Sequence, residues 1–496
     1  MLNTLKKLFL LISFLSIQQS LKAAFTFNTN CINAYEAILS LKAEEAKALI
    51  QKEKQQNPHN GIPILLDNYL SYFHLLTSES KAEYESQKDL KGTRISALEK
   101  QDKNSPYYLF SQAEIYLQWG LIKGRFGDYF SSAMDLNKAK GLLKENVQKY
   151  PDFLPNQKSL ALINVIFGSV PSNLKKTLQL VGIKGDSQAG IKQLYSLRSQ
   201  LQKTPYSFYK DEVIFFICYI DIDILHNKNS YSRLISYIAG MENGSLLKTY
   251  LQGYVSAKTG HNREAIAFLE ASANTENLRK FPALSYLLGN AKLNRMDSNA
   301  HVYLTKYIQH YKGTNYVKDT YLKLAYFYFL NNDTGKYAYF LKMVKNKGYT
   351  NNEKDKQALR EANDRAPDPF LLRARLYFDG GDYGKALAQL KNKDVNDFSF
   401  SRDKIEFHYR LGRIYEESGQ LNEALVNYQK AIYLGKNASY YFAANSALKI
   451  AEISEQQKDL KRAAYYYNQA IAMKDHEYES SIENQAKERL KVVTGK

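Results

Sequence analysis

Residues that interrupt or cross-link a chain are scarce in this sequence. Among 496 residues there are 10 prolines and 25 glycines, so few positions prevent a helix from continuing. Only two cysteines occur, Cys31 and Cys218, and neither belongs to a CxxC pair. This excludes a disulfide framework and a cysteine-rich zinc site, and we expect two buried free thiols.

The sequence also lacks the motifs of common catalytic sites. It has no phosphate-binding GK[ST], no GxGxxG, no HExxH and no GxSxG. The glycine-rich segment 182–190 follows no strand pattern, so we interpret it as a turn between helices. Asp223 and His226 lie three apart on one predicted helix face, but no third ligand accompanies them, and we expect no metal. We therefore predict a protein that is not an enzyme and needs no cofactor.

Charge of one sign is not clustered. The formal net charge is +18, which raises the question of nucleic-acid or anionic-lipid binding. However, no run of five like charges occurs, and lysines alternate with acidic residues along the chain. This pattern favours a solvated cationic surface, and we predict no nucleic-acid partner.

Long apolar runs are absent beyond the N-terminus. Lys6 and Lys7 precede the ten-residue apolar run 8–17, and a polar tail ends at 21–24, LKAA. This order is typical of a signal peptide, and the run is shorter than the roughly 20 residues that cross a bilayer. We predict a signal peptide over 1–23 and an exported protein of the periplasm or cell envelope, peripheral to a membrane at most. An uncleaved anchor is the alternative.

A short turn pattern recurs in the second half of the chain. Each copy has Gly or Lys, then an Ala five residues later, and a large apolar residue four positions after that Ala. An apolar helix with a small residue precedes each turn. The small residue lets a second helix pack closely, which predicts a helical hairpin. The copies begin at Gly260, Gly381, Gly419 and Lys458.

The small residues of the first helices recur at spacings of 36, 36, 49, 38 and 39. Four of these spacings fit a hairpin with a slightly long loop. The spacing of 49 predicts an insertion at 348–366, which we expect to hold an extra helix that ends before Pro367. The small residues are Gly253, Gly289, Ala325, Ala374, Gly412 and Ala451.

This pattern resembles the tetratricopeptide repeat of about 34 residues. The resemblance covers 245–475, about half the chain, and exported Bacteroidetes-type repeat proteins look similar overall. It implies an all-α fold, an α-solenoid of antiparallel helix pairs that form a right-handed superhelix. The best copy consists of Gly412, Tyr415, Ala424, Tyr428 and Ala431.

The N-terminal half is helical with more divergent repeats. Ala34, Ala46 and Ile50 fit one further repeat, and 106–150 predicts two long helices with Trp119 in the core. The predicted organisation is a signal peptide over 1–23, an N-terminal helical region over 24–240, tetratricopeptide-like repeats over 241–347, an inserted helix or linker over 348–366, and C-terminal repeats over 367–496.

Residues 158–194 are similar to a stretch of the tetratricopeptide repeat protein 39 family, which includes the yeast inclusion-body clearance protein. The shared features are an apolar helix, a Pro, a Leu-rich helix and a glycine-rich turn, with Ile183 where the family has Phe. The resemblance implies a scaffold without known catalytic chemistry. The matching residues are Pro171, Leu178, Leu180, Gly182, Gly185, Asp186 and Gly190.

In the superfamily that this chain resembles, the first helices line a concave groove that takes up peptides or partner proteins. The matching positions here hold Tyr and Arg, which are residue types that anchor interfaces. The alternative is that these tyrosines only cover the backs of helices. The candidate binding residues are Tyr250, Tyr254, Tyr326, Arg375, Tyr409 and Arg413.

We therefore predict a non-enzymatic scaffold that binds a partner protein or peptide in its groove. Arg375 and Arg413 occupy equivalent positions in adjacent repeats beside Tyr409, and together they would prefer an acidic peptide. Internal pairing of Arg413 with Glu416 and Glu417 is the alternative. A second hypothesis is a carbohydrate- or nutrient-binding protein of the starch-uptake type, although no lipid-acceptor cysteine follows the signal segment.

Overall fold

The computed structural model describes residues 25–170 and 182–495, and within these ranges the chain is all-α with no strands. The predicted signal peptide, together with Pro171, Leu178 and Leu180, lies outside the described residues. The first helices are α1 Thr29–Leu39, α2 Ala43–Gln56, α3 Ile62–Ser78, α4 Lys81–Gln87, α5 Leu90–Leu98, α6 Pro106–Arg125, α7 Tyr129–Lys149, α8 Pro155–Gly168, α9 Ser187–Leu201, α10 Lys210–Tyr219 and α11 Tyr231–Ala239. The remaining helices are α12 Leu246–Lys258, α13 Asn262–Glu270, α14 Thr275–Lys280, α15 Ala283–Leu293, α16 Ala300–His310, α17 Val317–Leu330, α18 Thr334–Asn346, α19 Glu353–Asn363, α20 Pro369–Asp379, α21 Tyr383–Leu390, α22 Ser401–Glu417, α23 Leu421–Gly435, α24 Phe442–Gln456, α25 Leu460–Ala472 and α26 Glu479–Thr494.

Helices pack in consecutive pairs along an α-solenoid, as α12 does with α13 and α22 with α23. The predicted small residues lie where the two helices of a pair touch. A Cβ atom added to Gly253 would lie 2.6 Å from the Leu269 side chain, and one added to Gly412 would lie 2.5 Å from the Tyr428 ring. The predicted register of these repeats is therefore confirmed.

One repeat follows the pattern more closely than its sequence suggested. A Cβ atom on Gly289 would lie 2.8 Å from Leu304. Ala300, which is fully buried, precedes Leu304 by four positions, so α16 has the small and large residues of a second helix. Only the turn pattern is missing from this repeat, because the turn before α16 lacks the Gly or Lys of the other copies.

The segment 348–366 contains helix α19, which docks on the start of α17. Asn352 caps α19 by accepting a hydrogen bond from the backbone N–H of Asp355 at 3.0 Å. The Asp355 carboxylate accepts the backbone N–H groups of Tyr316 at 2.7 Å and Asp319 at 3.0 Å. The insertion therefore satisfies donors at the N-terminus of a repeat helix and is held rigidly against it.

The two halves of the chain build their cores differently. One continuous core runs from Cys31 to Val255, whereas the C-terminal repeats bury smaller separate clusters, as stacked repeats do. Both cysteines are buried and unpaired, as predicted. Trp119 is in the core, where its Nε1 donates to Asn68 at 3.0 Å.

Contacts between distant parts of the chain close the solenoid around its concave side. The turns at Gly260 and Gly381, both with positive φ, lie so close that a Cβ atom on Gly381 would collide with the Gly260 backbone. Tyr311 donates a hydrogen bond to Glu79, and Lys228 in the N-terminal half forms an ion pair with Glu417. The groove is therefore narrowed to a partly open cavity. None of the helices in 25–170 and 182–495 combines the length and the apolar character needed to cross a membrane.

Candidate functional site

A cavity of about 840 Å³ lies on the concave side, between α3, α12, α15, α17, α19, α20 and α22. Its volume is that of a site for a small molecule or a short extended peptide. Tyrosine is the most frequent residue in its wall. The lining tyrosines are Tyr219, Tyr250, Tyr254, Tyr286, Tyr307, Tyr311, Tyr316, Tyr326, Tyr383, Tyr409 and Tyr441.

The tyrosines are held by stacking and by hydrogen bonds to carboxylates. The rings of Tyr250 and Tyr254 stack with centroids 5.6 Å apart. Tyr254 donates to Asp223, and Tyr326 donates to Glu361. Burial, together with nearby negative charge, raises the pKa of Tyr250, Tyr254 and Tyr326. The wall therefore carries neutral hydroxyl groups on apolar rings.

All six binding residues proposed from the sequence line this one cavity. Tyr409 is the most enclosed of them, with 1% of its surface exposed. Its hydroxyl accepts hydrogen bonds from Arg413 at 3.1 Å and Asn445 at 2.9 Å. The role of the six residues in binding stays a prediction. Tyr250 and Tyr254 lie on α12, Tyr326 on α17, Arg375 on α20, and Tyr409 and Arg413 on α22.

Both guanidinium groups that were predicted to bind an acidic peptide, those of Arg375 and Arg413, are paired with carboxylates within the chain. Arg375 donates to both carboxylate oxygens of Glu361, at 2.9 and 3.1 Å. Arg413 lies 3.8 Å from Glu416 and 3.8 Å from Glu417. The pairing of Arg413 with Glu416 and Glu417 is the alternative given in the sequence analysis. The pairing of Arg375 was not predicted, because its partner Glu361 lies on the inserted helix α19.

Glu361 is a fixed anion at the wall of the cavity. Burial alone would raise its pKa, but the ion pair with Arg375 and the hydrogen bonds from Tyr326 and Gln357 outweigh burial and lower the pKa to about 2. Glu361 therefore stays charged at physiological pH and neutralises Arg375.

Two charged side chains in the wall, Lys354 and Asp379, have no ion-pair partner among the described residues. Lys354 lines the cavity from α19 and is exposed, as is Asp379. Partial desolvation by the cavity wall, with the positive charges of Lys323 and Lys258, lowers the pKa of Lys354 to about 8. The other charged wall residues are paired: Glu79 with Arg125, Asp223 with Lys258, Asp319 with Lys323, Lys228 with Glu417, Arg375 with Glu361, Arg410 with Glu406, and Arg413 with Glu416 and Glu417.

In the glycine-rich segment 182–190, residues 182–186 are not helical and lead into α9, and Gly190 lies in the first turn of that helix. The segment packs on α8. A Cβ atom on Gly190 would lie 2.5 Å from the Ala161 carbonyl oxygen, and one on Gly185 would lie 2.5 Å from the Gly168 nitrogen. Asp186 caps α9 by accepting from the backbone N–H of Ala189 at 3.0 Å. Close helix packing therefore accounts for these glycines.

Asp223 and His226 do not share a helix face, and that prediction is wrong. Helix α10 ends at Tyr219, a π-turn spans Ile220–Ile224, and His226 has a left-handed φ of 50°. Asp223 is bound to Tyr254 and Lys258 instead. In the part of the chain that the structure describes, no three His, Cys, Asp or Glu side chains form a group that could hold a metal ion.

The fold and the cavity define this chain as an α-solenoid with a tyrosine-lined cavity on its concave side. No family model and no curated protein matches its sequence. Similar solved structures include the Cut9–Hcn1 hetero-tetramer of the APC/C, with 11% identity over 92% of this chain and 96% of that chain and a TM-score of 0.24. The human IFIT1 dimer with PPP-AAAA has 13% identity over 94% and 89% and a TM-score of 0.28. Yeast Tom70 has 13% identity over 97% and 90% and a TM-score of 0.24. These values are too low to assign a family or a function.

Proposed function

We propose that this chain is a non-enzymatic scaffold that takes an extended segment of a partner protein into its central cavity. The observation that carries the proposal is the partly open cavity of about 840 Å³, with its wall of tyrosine rings and neutral hydroxyls. Such a wall can contact apolar side chains and hydrogen-bond a peptide backbone at the same time. A folded domain does not fit in this volume, so the bound segment is extended.

A bulky side chain in the cavity is expected to weaken this binding. Ala257 on α12 lines the cavity, and Ala257→Phe places a ring where the ligand has to lie. We expect the affinity for a pool of capped heptapeptides to fall about tenfold or more, because overpacking costs about 1–3 kcal/mol. Native mass spectrometry and calorimetry on the full chain measure the loss.

The matched control is Ala338→Phe, which adds the same ring to an exposed position of the outer helix α18. This variant is expected to bind peptides as the wild type does, and circular dichroism checks that both variants are folded. Unchanged binding by Ala257→Phe would contradict the proposal. If the cavity binds neutral maltoheptaose and no peptide, the starch-uptake alternative is favoured. If the protein binds a mixed-sequence oligonucleotide, the prediction that it has no nucleic-acid partner is contradicted.

We also propose that the protein is exported and belongs to the tetratricopeptide-repeat superfamily. The order of residues 1–24 supports export, and we expect the mature chain to begin near Ala24. Mass analysis of the envelope fraction tests this, and an intact Met1 in a soluble cytoplasmic pool would refute it. The likeness to exported Bacteroidetes-type proteins and to the tetratricopeptide repeat protein 39 family stays a prediction.

A further inference from the structure

The charges in the cavity wall are balanced except at two points of opposite sign. Every other charged side chain of the wall has a partner within ion-pair distance, whereas within 25–170 and 182–495 neither Lys354 nor Asp379 has one. Both residues are exposed, so a ligand that enters the cavity can reach their charges. These two groups are therefore the positions where a charged ligand gains most from entering.

The insertion is what brings Lys354 to this place. Helix α19 is anchored on α17 through Asp355, and Lys354 is the neighbouring residue. The charged groups facing Lys354 come from three other helices. They are Asp319 and Lys323 on α17, Lys258 on α12, and Asp379 at the end of α20.

The pairing of the other cations limits the charge that the cavity can accept. Lys323 is held by Asp319 at 3.0 Å, and Lys258 lies 3.4 Å from Asp223. One cation and one carboxylate remain for a ligand. A polyanion or a polycation would leave most of its charges without an oppositely charged side chain in the wall. The wall therefore matches a ligand with one negative and one positive group and no net charge.

We propose that the cavity selects a dipolar peptide segment whose carboxylate contacts Lys354 and whose cationic group contacts Asp379. The proposal rests on the peptide-binding function proposed above and names the chemistry of the segment. Charge-assisted hydrogen bonds to these two groups fix the direction and register of the peptide. The tyrosine wall contacts the rest of the segment irrespective of its sequence.

Four sets of peptides test this proposal by titration calorimetry with the full chain. Each set contains heptapeptides acetylated and amidated at their ends, so that only side chains carry charge. The first set has one Glu and one Lys separated by one to four residues. The other sets replace the Glu, the Lys or both by Gln. We expect the best member of the first set to bind about tenfold tighter than each of its single-Gln forms.

The variants assign each peptide charge to its contact. Lys354→Gln is expected to weaken binding of the Glu/Lys peptide about tenfold and to leave the peptide without Glu unchanged. Asp379→Asn is expected to weaken binding of the Glu/Lys peptide about tenfold and to leave binding of the peptide without Lys unchanged. Lys356→Gln changes an exposed lysine on the same helix and serves as the matched control.

A carboxylate at Lys354 raises the pKa of that lysine above its ligand-free value of about 8. The affinity for the Glu/Lys peptide is therefore highest below pH 8, where Lys354 is charged in the free protein. It falls as the pH rises through the raised pKa of Lys354 in the complex. At pH 8.5, binding takes up protons, which calorimetry detects in buffers of different ionisation enthalpy. Lys354→Gln is expected to abolish this uptake.

The outcomes separate this inference from the function on which it rests. If Ala257→Phe weakens peptide binding while Lys354→Gln and Asp379→Asn have no effect, the cavity binds peptides but the dipolar preference is wrong. Equal affinity for all four sets would also overturn it. Preference for peptides with free termini over capped ones would assign the two contacts to the terminal charges, which contradicts recognition of an internal segment.

Discussion

Replacing Lys158 by methionine is expected to lower the free energy of unfolding by about 3–5 kcal/mol, because it leaves two buried carboxylates without their cation. Lys158 is fully buried, and its Nζ lies 2.7 Å from Glu114 and 2.9 Å from Glu212. Tyr35 donates to Glu212 at 2.5 Å, and Tyr69 donates to Glu114. The cluster joins α1, α3, α6, α8 and α10, so its loss affects the whole N-terminal core.

The pH dependence of this variant identifies the cause of its instability. Burial opposes the charge on Lys158, but the two carboxylates outweigh it and raise the lysine pKa, while burial and Glu114 raise the pKa of Glu212. Without the lysine, the Glu212 carboxyl group loses a cation that lowers its pKa, and it favours protonation in the folded state still more. A raised carboxyl pKa gives stability that is present at low pH and lost as the pH rises. Urea unfolding should therefore show a larger deficit at pH 8 than at pH 5.

Neutralising the partners provides the control. Adding Glu114→Gln and Glu212→Gln to Lys158→Met removes the uncompensated charges, and we expect this triple variant to recover part of the lost stability and to lose the pH dependence. A single variant that unfolds at the same urea concentration as the wild type would show that the cluster is not a stabilising ion pair.

Sequence reasoning did not find this cluster, and the reason is physical. Lys158 starts an apolar helix, and a lone lysine at such a position is usually solvated. Its partners Glu114 and Glu212 come from separate helices that only the tertiary fold brings together. The N-terminal half has no regular repeat from which to infer its helix neighbours, so its charged contacts could not be predicted.

The repeats were predictable because the spacing of their small and large residues depends on a contact within a single hairpin. A small residue such as Gly253 and a large one such as Leu269 touch only if the two helices pack closely, so their spacing gives both the hairpin and its register. Antiparallel pairing follows from a short turn. Closure of the solenoid depends instead on contacts such as that of Lys228 with Glu417, and no local pattern encodes it.

The candidate site was predictable only as far as it follows the repeat. Inward positions of the first helices gave six residues that line one cavity. The groups that decide its electrostatics lie on the insertion, where the period of the repeat breaks. Glu361 neutralises Arg375, and Lys354 supplies the unpaired cation. The insertion has no counterpart in the other repeats, so the repeat pattern could not place either residue.

Gly412→Leu is expected to destabilise the C-terminal repeats by about 1–3 kcal/mol or more, because overpacking forces two helices apart. The first atom of the new side chain would lie 2.5 Å from Cδ1 of Tyr428 and 2.6 Å from its Cε1. Tyr428 is fully buried and donates a hydrogen bond to Glu416, so its ring cannot move aside without breaking that bond. Helix α22 carries Tyr409 and Arg413, so peptide binding should weaken as well.

Urea unfolding of the full chain, combined with hydrogen exchange, measures this effect and locates it. We expect faster exchange in α22 and α23, with the core around Lys158 unaffected, because stacked repeats depend mainly on their nearest neighbours. Gly384→Leu is the matched control: a Cβ atom there meets nothing within 4 Å, and a leucine should be neutral or slightly stabilising in the helix. Gly412→Ala should fall between the two leucine variants. If Gly412→Leu unfolds and exchanges as Gly384→Leu does, Gly412 does not lie at the contact between α22 and α23, and the register of this repeat is wrong.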